Sequence, residues 1–368
     1  MKILISLISD QQIPNVLFIK EINPDINIFV TTNAMEKKDK GQSDKIINTL
    51  NLTNVEKIVV NEESFDGIIS NLTNKVKITD KDELIINITG GNKIMSLASY
   101  YFGRRKGAKI YYLPINSNRF IKIYPETEPK EIEVKFLLTL EEYLNSYYKK
   151  TNEDYFNYGK PLKSEEEANR FLELYSQEKL NQIIQIIRNN KGRDKNLKIN
   201  EELRKIIKDL NIKTEKEDIL SKYESRYITG EWFEEWVYYK IKNKFNLEEK
   251  YISISVNRQG REDNVENEFD VMFVVNNKLG IIECKTSLKE EKEYDLFQET
   301  LYKSSSLIRD FGLNPKSFLF TFSPKPTDSK KMEDMSKKAK FFRIACFYKE
   351  DLLNNLEDVL EEIKRQLL

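Results

Sequence analysis

The sharpest chemical signal in the sequence lies at the ends of two apolar runs. Asp270 opens "FDVMFVVNN", and Glu283 and Lys285 close "LGIIECK". The runs 267–275 and 278–286 flank Asn276-Asn277, and asparagine tolerates the positive φ that a tight hairpin turn demands. A two-residue loop pairs Val275 with Lys278 and sets Asp270 directly opposite Glu283. A four-residue loop keeps that pairing, whereas a three-residue loop breaks it. Alternation along the strands then places Asp270, Glu283 and Lys285 on one face, with Cys284 on the other beside Ile282, Val271 and Phe273. Opposed carboxylates repel each other. Either this face is wet and Lys285 neutralises it, or a divalent cation sits between the acids. Oxygen donors without soft ligands suit Mg²⁺ or Mn²⁺ rather than zinc. A lysine beside such a cation could orient, or help deprotonate, an attacking water. The E-x-K triplet alone says little, because the chain holds six others. None of those closes an apolar hairpin opposite an aspartate.

A second acidic group precedes this hairpin. Glu231, Glu234 and Glu235 follow Gly230 in an aromatic-rich helical stretch. Glu231 and Glu235 stand four apart, the spacing of a plain solvent face. Glu234 falls beside Val237 and Tyr238 on the apolar side, where a carboxylate needs a partner, either an arginine or the same metal. In the first third of the chain, small polar residues follow strand-like runs: Ser9-Asp10-Gln11-Gln12, Thr31-Thr32 and Thr89-Gly90-Gly91-Asn92-Lys93. A Gly-Gly turn into a helix start exposes backbone N–H groups to an anion, and Lys93 adds a positive charge. The competing reading is that the two glycines only make a tight turn. Neither a dinucleotide fingerprint nor a P-loop is present, which disfavours an ordinary nucleotide fold.

The elements that position these groups alternate. Strand-like and helix-like segments succeed one another from "KILISLIS" through "RFIKIYP", which predicts a Rossmann-like parallel sheet covered on both faces over residues 1–134. Residues 135–222 read as a helical connecting region, and a winged-helix DNA reader within it shows no distinct recognition helix. Residues 223–368 read as a second α/β domain containing the hairpin, with a polar connection between "SFLFTFS" and "FFRIACFY". At 368 residues, two cores are expected. Lys and Arg number 60, as do Asp and Glu, so any basic surface must be local; "RNNKGRDKNLK" (188–198) and 325–340 are candidates, read as solvated loops. The chain has no histidine, which excludes histidine triads, histidine general bases and histidine-ligated metal centres. Two cysteines in apolar runs, no signal-like start and no run of ~20 apolar residues point to a reduced, soluble, cytoplasmic protein without a membrane partner.

Taken in order, Glu234, Asp270 and Glu283-Cys284-Lys285 resemble the PD-(D/E)xK nuclease signature of restriction-endonuclease-like folds, with Phe269 in the usual proline position. "LISDQQIPN" and "ITGGNKIMSLASYYFGRRKGAKIYYLP" resemble the CRISPR-associated Rossmann fold (CARF), a sensor of cyclic oligoadenylates. The pair resembles the cyclic-tetraadenylate-activated ancillary nucleases of type III CRISPR antiviral defence. The resemblance implies a homodimer that holds one cyclic tetraadenylate across its two-fold axis. Ser9, Asp10, Gln11, Gln12, Thr31, Thr32, Thr89, Gly90, Gly91, Asn92 and Lys93 would line that pocket. It also implies that Asp270, Glu283 and the backbone carbonyl of Cys284 hold Mg²⁺ or Mn²⁺, that Lys285 positions the water and that Glu234 completes the acidic cluster. Such nucleases cut DNA, RNA or both. Two alternatives remain at this stage: a cyclic-oligoadenylate-responsive nucleic-acid-binding regulator without cleavage, and a sensor that cleaves its own activator through Lys93, Ser9 and Thr31.

Overall fold

The structure is a computed structural model that describes residues 1–37, 41–115, 117–148, 155–259, 268–287 and 293–368. Residue 267, expected to start the hairpin, lies outside them. The first domain alternates as its pattern requires: β1 (Lys2–Leu7), α1 (Ile13–Ile22), β2 (Ile26–Thr32), α2 (Gln42–Leu50), β3 (Val55–Val60), α3 (Phe65–Lys75), β4 (Glu83–Asn87), α4 (Lys93–Arg105) and β5 (Lys109–Tyr112). The chain then folds back through β6 (Arg119–Tyr124) and β7 (Glu131–Glu133). The sheet order is β3-β2-β1-β4-β5-β6-β7. Strands β1 to β5 are mutually parallel, and β6 and β7 are antiparallel additions. Local chemistry sets the boundaries. Pro14 sits in the first turn of α1, and Asn23 ends that helix in the left-handed region at φ 47°. The Asn92 side chain caps α4 by accepting the Met95 N–H.

The connecting stretch comprises α5 (Leu140–Tyr147), β8 (Tyr155–Gly159), α6 (Glu165–Ser176), α7 (Asn181–Asn189), β9 (Leu197–Lys198), α8 (Glu201–Asp209) and β10 (Ile219–Leu220). It is not wholly helical, since β9 and β10 pair with each other and β8 joins the second domain's sheet. Next come α9 (Lys222–Arg226), one wide π turn (Tyr227–Glu231), α10 (Trp232–Phe245), β11 (Ile252–Gln259), β12 (Glu268–Val275) and β13 (Lys278–Lys285). The chain ends with α11 (Glu293–Ile308), β14 (Lys316–Thr321), α12 (Ser329–Phe342), β15 (Ile344–Phe347), α13 (Lys349–Asn354) and α14 (Leu356–Leu367). The second sheet runs β15-β14-β13-β12-β11-β8. Residues 325–340, expected as a solvated connection, contain most of α12. That helix buries Met335 and Ala339, four apart, and leaves its charges in water. Phe341 and Phe342, expected in the last strand, end this helix instead.

One apolar core joins the halves, and others lie within each half. α3 and α4 cover one face of the first sheet. The other face shares a continuous core with α5 and the second sheet, through Phe18, Leu144, Met272 and Leu279. On the opposite face of that second sheet, Trp232, Phe233 and Trp236 of α10 pack against Val271, Phe273 and Ile282, and α6 to α8 join the same core. No helix among the described residues is long and apolar enough to cross a membrane.

Candidate functional site

The hairpin forms as its spacing predicts. Asn276 and Asn277 take positive φ of 55° and 61°. The register pairs Val275 with Lys278 and Val271 with Ile282, so Asp270 and Glu283 occupy the next opposed positions. The turn is anchored from outside as well. Asn277 Oδ1 accepts the Leu138 N–H at 2.8 Å, and its Nδ2 donates to the Phe136 carbonyl at 2.9 Å. On its other edge β13 pairs with β14 as far as Lys285–Thr321. Glu283 and Lys285 therefore stand on a strand held from both sides. Asp270 turns its carboxylate inward, and Oδ2 accepts the Cys284 N–H at 2.6 Å. Lys285 Nζ lies 2.6 Å from Glu283 Oε1 and 3.7 Å from Asp270 Oδ2. Cys284 packs with Ile282, Val271 and Phe273 in the α10 core, as expected.

These contacts set the electrostatics. Burial first, and the Glu283 charge second, push the Asp270 carboxyl up to about 7. Burial, and then Asp270, hold Glu234 well above the usual carboxylate range. Burial pulls the Lys285 ammonium down, but the charges of Asp270 and Glu283 outweigh it and hold the group above its ordinary value. Lys285 is thus a cation at neutral pH, a fixed charge rather than a proton acceptor. Burial raises the Cys284 thiol, so its sulfur is no thiolate ligand. The donors left are carboxylate and carbonyl oxygens, which suit a hard divalent cation. Among the described residues no three acidic or cysteine side chains form a ready metal cage. A cation held by Asp270 and Glu283 would therefore need further oxygens.

Asp270, Glu283, Lys285 and Glu234 open into one cavity of about 760 Å³. Glu231 lines it too, which corrects the expected solvent face. Burial raises the Glu231 carboxyl against the pull of Arg226 and Arg193. Glu235 departs further, being 2% exposed, because the Leu162 and Lys163 N–H groups donate to its carboxylate. The chain from β8 to α6 covers that side of α10, a long-range contact that helix periodicity does not report. Glu268, Lys303 and the turn at Arg188–Asp194 also face the cavity. Only the last gave a sequence signal, as a local cluster of positive charge.

In the first domain, Ser9, Gln11, Thr89 and Gly91 are half-buried, and Asp10, Asn92 and Lys93 are exposed at the same end of the sheet. Gly90 is required by close approach, since a Cβ there would lie 2.0 Å from the Leu7 carbonyl oxygen, and Gly91 takes φ 71°. The tight turn is real, and it delivers Lys93 to the start of α4. Gln12, Thr31 and Thr32 are buried. Gln12 Nε2 donates to Gln42 Oε1 at 2.7 Å, Gln42 Nε2 donates to Asp10 Oδ1 at 2.8 Å, and Thr31 Oγ1 donates to Glu36 Oε1 at 2.8 Å. Gln42, which opens α2, and Glu36 had no motif to mark them; hydrogen bonds to Asp10, Gln12 and Thr31 bring them over the ends of β1 and β2.

The loop after β1 touches the second domain. Gln11 Oε1 accepts the Leu313 N–H at 3.0 Å, and the Tyr147 hydroxyl of α5 faces the backbone at Gln12 and Ile13. Tyr143 on the same helix donates to the Phe311 carbonyl at 3.3 Å. Phe311 to Leu313 join α11, which carries Lys303, to β14, the neighbour of β13. The loop after β1 is thus two short steps from the acidic cavity.

Comparison with known proteins gives this architecture a family. Residues 3–143 match the model described as the Card1 CARF domain, and residues 221–367 match the Card1-like endonuclease domain. The chain is a two-domain protein of the CARF–endonuclease class. Its halves belong to the Card1 CARF and Card1-like endonuclease families. Among solved structures it is similar to Can2 from Sulfobacillus thermosulfidooxidans in complex with cyclic tetra-adenylate, at 21% identity and TM-score 0.73 over 100% of both chains. It is also similar to VC1899 from Vibrio cholerae, at 20% identity and TM-score 0.76 over 99% of this chain and 98% of that one. A type III CRISPR defence DNA nuclease activated by cyclic oligoadenylate aligns at 15% identity and TM-score 0.52, over 89% of this chain and 47% of that one. At these identities the likeness is one of fold. A comparison with curated proteins found no match.

Proposed function

We propose that this protein is a metal-dependent nuclease that cleaves phosphodiester bonds of DNA, RNA or both, and that cyclic tetraadenylate bound to its first domain switches it on. The observation that carries the reading is the convergence of Asp270, Glu283, Lys285 and Glu234 in one cavity of a Card1-like endonuclease domain. Mg²⁺ or Mn²⁺, when held by Asp270, Glu283 and the Cys284 carbonyl, supplies a polarised phosphate and a water of lowered pKa. The chain's own groups do the rest. Asp270 and Glu283 fix the negative pole of the site on a rigid hairpin. Lys285 sets a positive charge beside the attacked phosphate and orients the water. Glu234, its carboxyl raised by burial and then by Asp270, adds a further acid at the cavity wall. A cytoplasmic setting fits the two free cysteines.

The gating test measures cleavage of labelled single-stranded RNA, single-stranded DNA and supercoiled plasmid in Mg²⁺ or Mn²⁺, with and without cyclic tetraadenylate. Cutting only when metal and activator are both present is the expected result. Activator binding without any cutting would leave a nucleic-acid-binding regulator instead. In the same assay Gln11→Ala should lose most of the activator-dependent stimulation while losing less in activator affinity, because Gln11 spends its side-chain oxygen on Leu313. Wild-type stimulation in that variant would remove this contact from the switch.

A homodimer completes the reading. Ile94, Leu97 and Tyr101 form an exposed apolar stripe on α4, beginning one residue after Lys93, with Leu97 61% exposed. Phe65 of α3 extends it, its ring 6.2 Å from that of Tyr101. A second copy seated on this stripe would bring two Lys93 ends toward one ligand. Leu97→Glu should therefore weaken dimerisation by at least about tenfold in sedimentation experiments, and activator binding with it. An intact dimer with full activator affinity would show that the two-fold axis lies elsewhere.

A further inference from the structure

The acidic groups of the cavity face an unexplained set of cations supplied by the connecting region. Arg188 lies in the last turn of α7, Lys191 and Arg193 sit on the turn that follows it, and all three are exposed. Among the described residues none of the three side chains forms an ion pair. Like charges on so short a segment repel, a cost that a polyanionic ligand reverses.

The turn is built rather than loose. Lys191 takes φ 53°, and the Gly192 N–H donates to the Ile187 carbonyl at 2.8 Å, which closes the end of α7. Gly192 itself is buried, and a Cβ there would lie 2.5 Å from Leu197 Cδ1 and 2.9 Å from Ile187 Cγ2. The adjoining helix braces it, with Arg226 Nε donating to the Arg193 carbonyl at 3.0 Å. Rigid presentation lowers the ordering cost of a bound ligand. Arg193 and Arg226 also stand near enough to Glu231 to draw its carboxyl down against burial, so the basic and acidic walls belong to one site.

We propose that the Arg188–Arg193 turn is the phosphate-gripping wall of the nuclease cavity. Its side chains hold backbone phosphates that flank the scissile one, and so set the path of the strand past Lys285. These are positioning residues, and the inference rests on the nuclease reading above. Guanidinium groups suit the task because they bind phosphate oxygens in pairs and stay charged at any working pH. The connecting region thereby becomes part of the substrate site rather than a spacer.

The test is the salt dependence of binding, read without cleavage. The full-length protein, with cyclic tetraadenylate and a chelator, is titrated with labelled single-stranded DNA, single-stranded RNA and duplex DNA over a range of salt concentrations. For Arg188→Gln/Arg193→Gln, the slope of log affinity against log salt should shrink by about 1.4 on single strands or about 1.8 on duplex, two phosphate contacts' worth. The pair Lys205→Gln/Lys208→Gln, on α8 and not lining the cavity, should leave the slope unchanged. Melting temperature and activator affinity should match wild type in both. An unchanged slope in the arginine variant, an equal loss in the α8 variant, or no binding of any probe by the wild type would each overturn the proposal. The nuclease reading fails separately, if the wild type binds with a turn-dependent slope but never cuts under activator and metal. Conversely, a wild type that cuts while the arginine variant keeps its slope removes only the turn.

Discussion

Lys285→Ala is expected to lower activator-stimulated cleavage by about 10²–10⁴-fold, with substrate and activator affinities nearly unchanged. The size follows from where the ammonium stands. It lies 2.6 Å from Glu283 and 3.7 Å from Asp270, at the mouth of a strand that β12 and β14 hold on both sides. A charge fixed in that way acts on the transition state without reorganising, which is where preorganised groups give most. It contributes little to ground-state binding, so the loss should fall on kcat rather than KM. The variant should fold, because Asp270 already binds its proton readily and can neutralise the acid pair when the ammonium is gone. Lys285→Arg keeps the charge with a wider head and should recover only part of the rate. Single-turnover cleavage at saturating substrate reads this directly. Wild-type rates in Lys285→Ala would remove the residue from the chemistry and leave its ion pairs as a structural staple.

How much of this was legible in advance depended on whether each contact was local. The hairpin register follows from a two-residue turn and strand alternation, both short-range, and the opposition of Asp270 and Glu283 came out as spacing required. The parallel first sheet and its Gly-Gly turn were readable for the same reason. Glu235 was misplaced because its partners, the Leu162 and Lys163 N–H groups, approach from the link between β8 and α6, more than 70 residues earlier in the chain. Glu231 was misplaced because the π turn that ends on it and the turn at Arg193 fold a nominal solvent face into the cavity. The link from Gln11 to Leu313 spans most of the chain and leaves no trace in composition or periodicity. Basic residues at 188–193 were visible as charge, but only tertiary structure shows which cavity they enter.

In a chelator, the wild-type protein should lose stability as pH rises from about 5 to about 7.5, the reverse of what a set of salt-bridged carboxylates would give. Asp270 has a pKa raised from an ordinary 3.8 to about 7, so between those values the folded state binds more protons than the unfolded one. Stability therefore falls with pH across that window. Glu234 and Glu231, also raised, act in the same direction. Carboxylates with lowered values, such as Glu36 and Glu167, contribute stability that is lost only as pH falls below the ordinary carboxylate range. The raised Lys285 contributes stability that stays constant here and is lost only far above this window. Met1, its amino group raised by the Asp82 hydrogen bond, likewise matters only above about 8. Because the chain has no histidine, no side chain with an ordinary pKa titrates between pH 5 and 7.5. Glu235, raised by burial outside the cavity, acts in the same direction, so the share of the slope that belongs to the cavity is read from Asp270→Asn. The total should be on the order of 2–4 kcal/mol, shared among the coupled acids. Asp270→Asn should flatten the trace and raise the melting temperature at pH 7.5, since it deletes a buried charge and keeps the shape. Adding Mg²⁺ or Mn²⁺ at pH 7.5 should stabilise the wild type and leave Asp270→Asn nearly unmoved, a readout of cation binding that needs no substrate. A flat melting profile in the wild type, or equal stabilisation of both proteins by the cation, would show that Asp270 is neither the strained acid nor the ligand proposed for it.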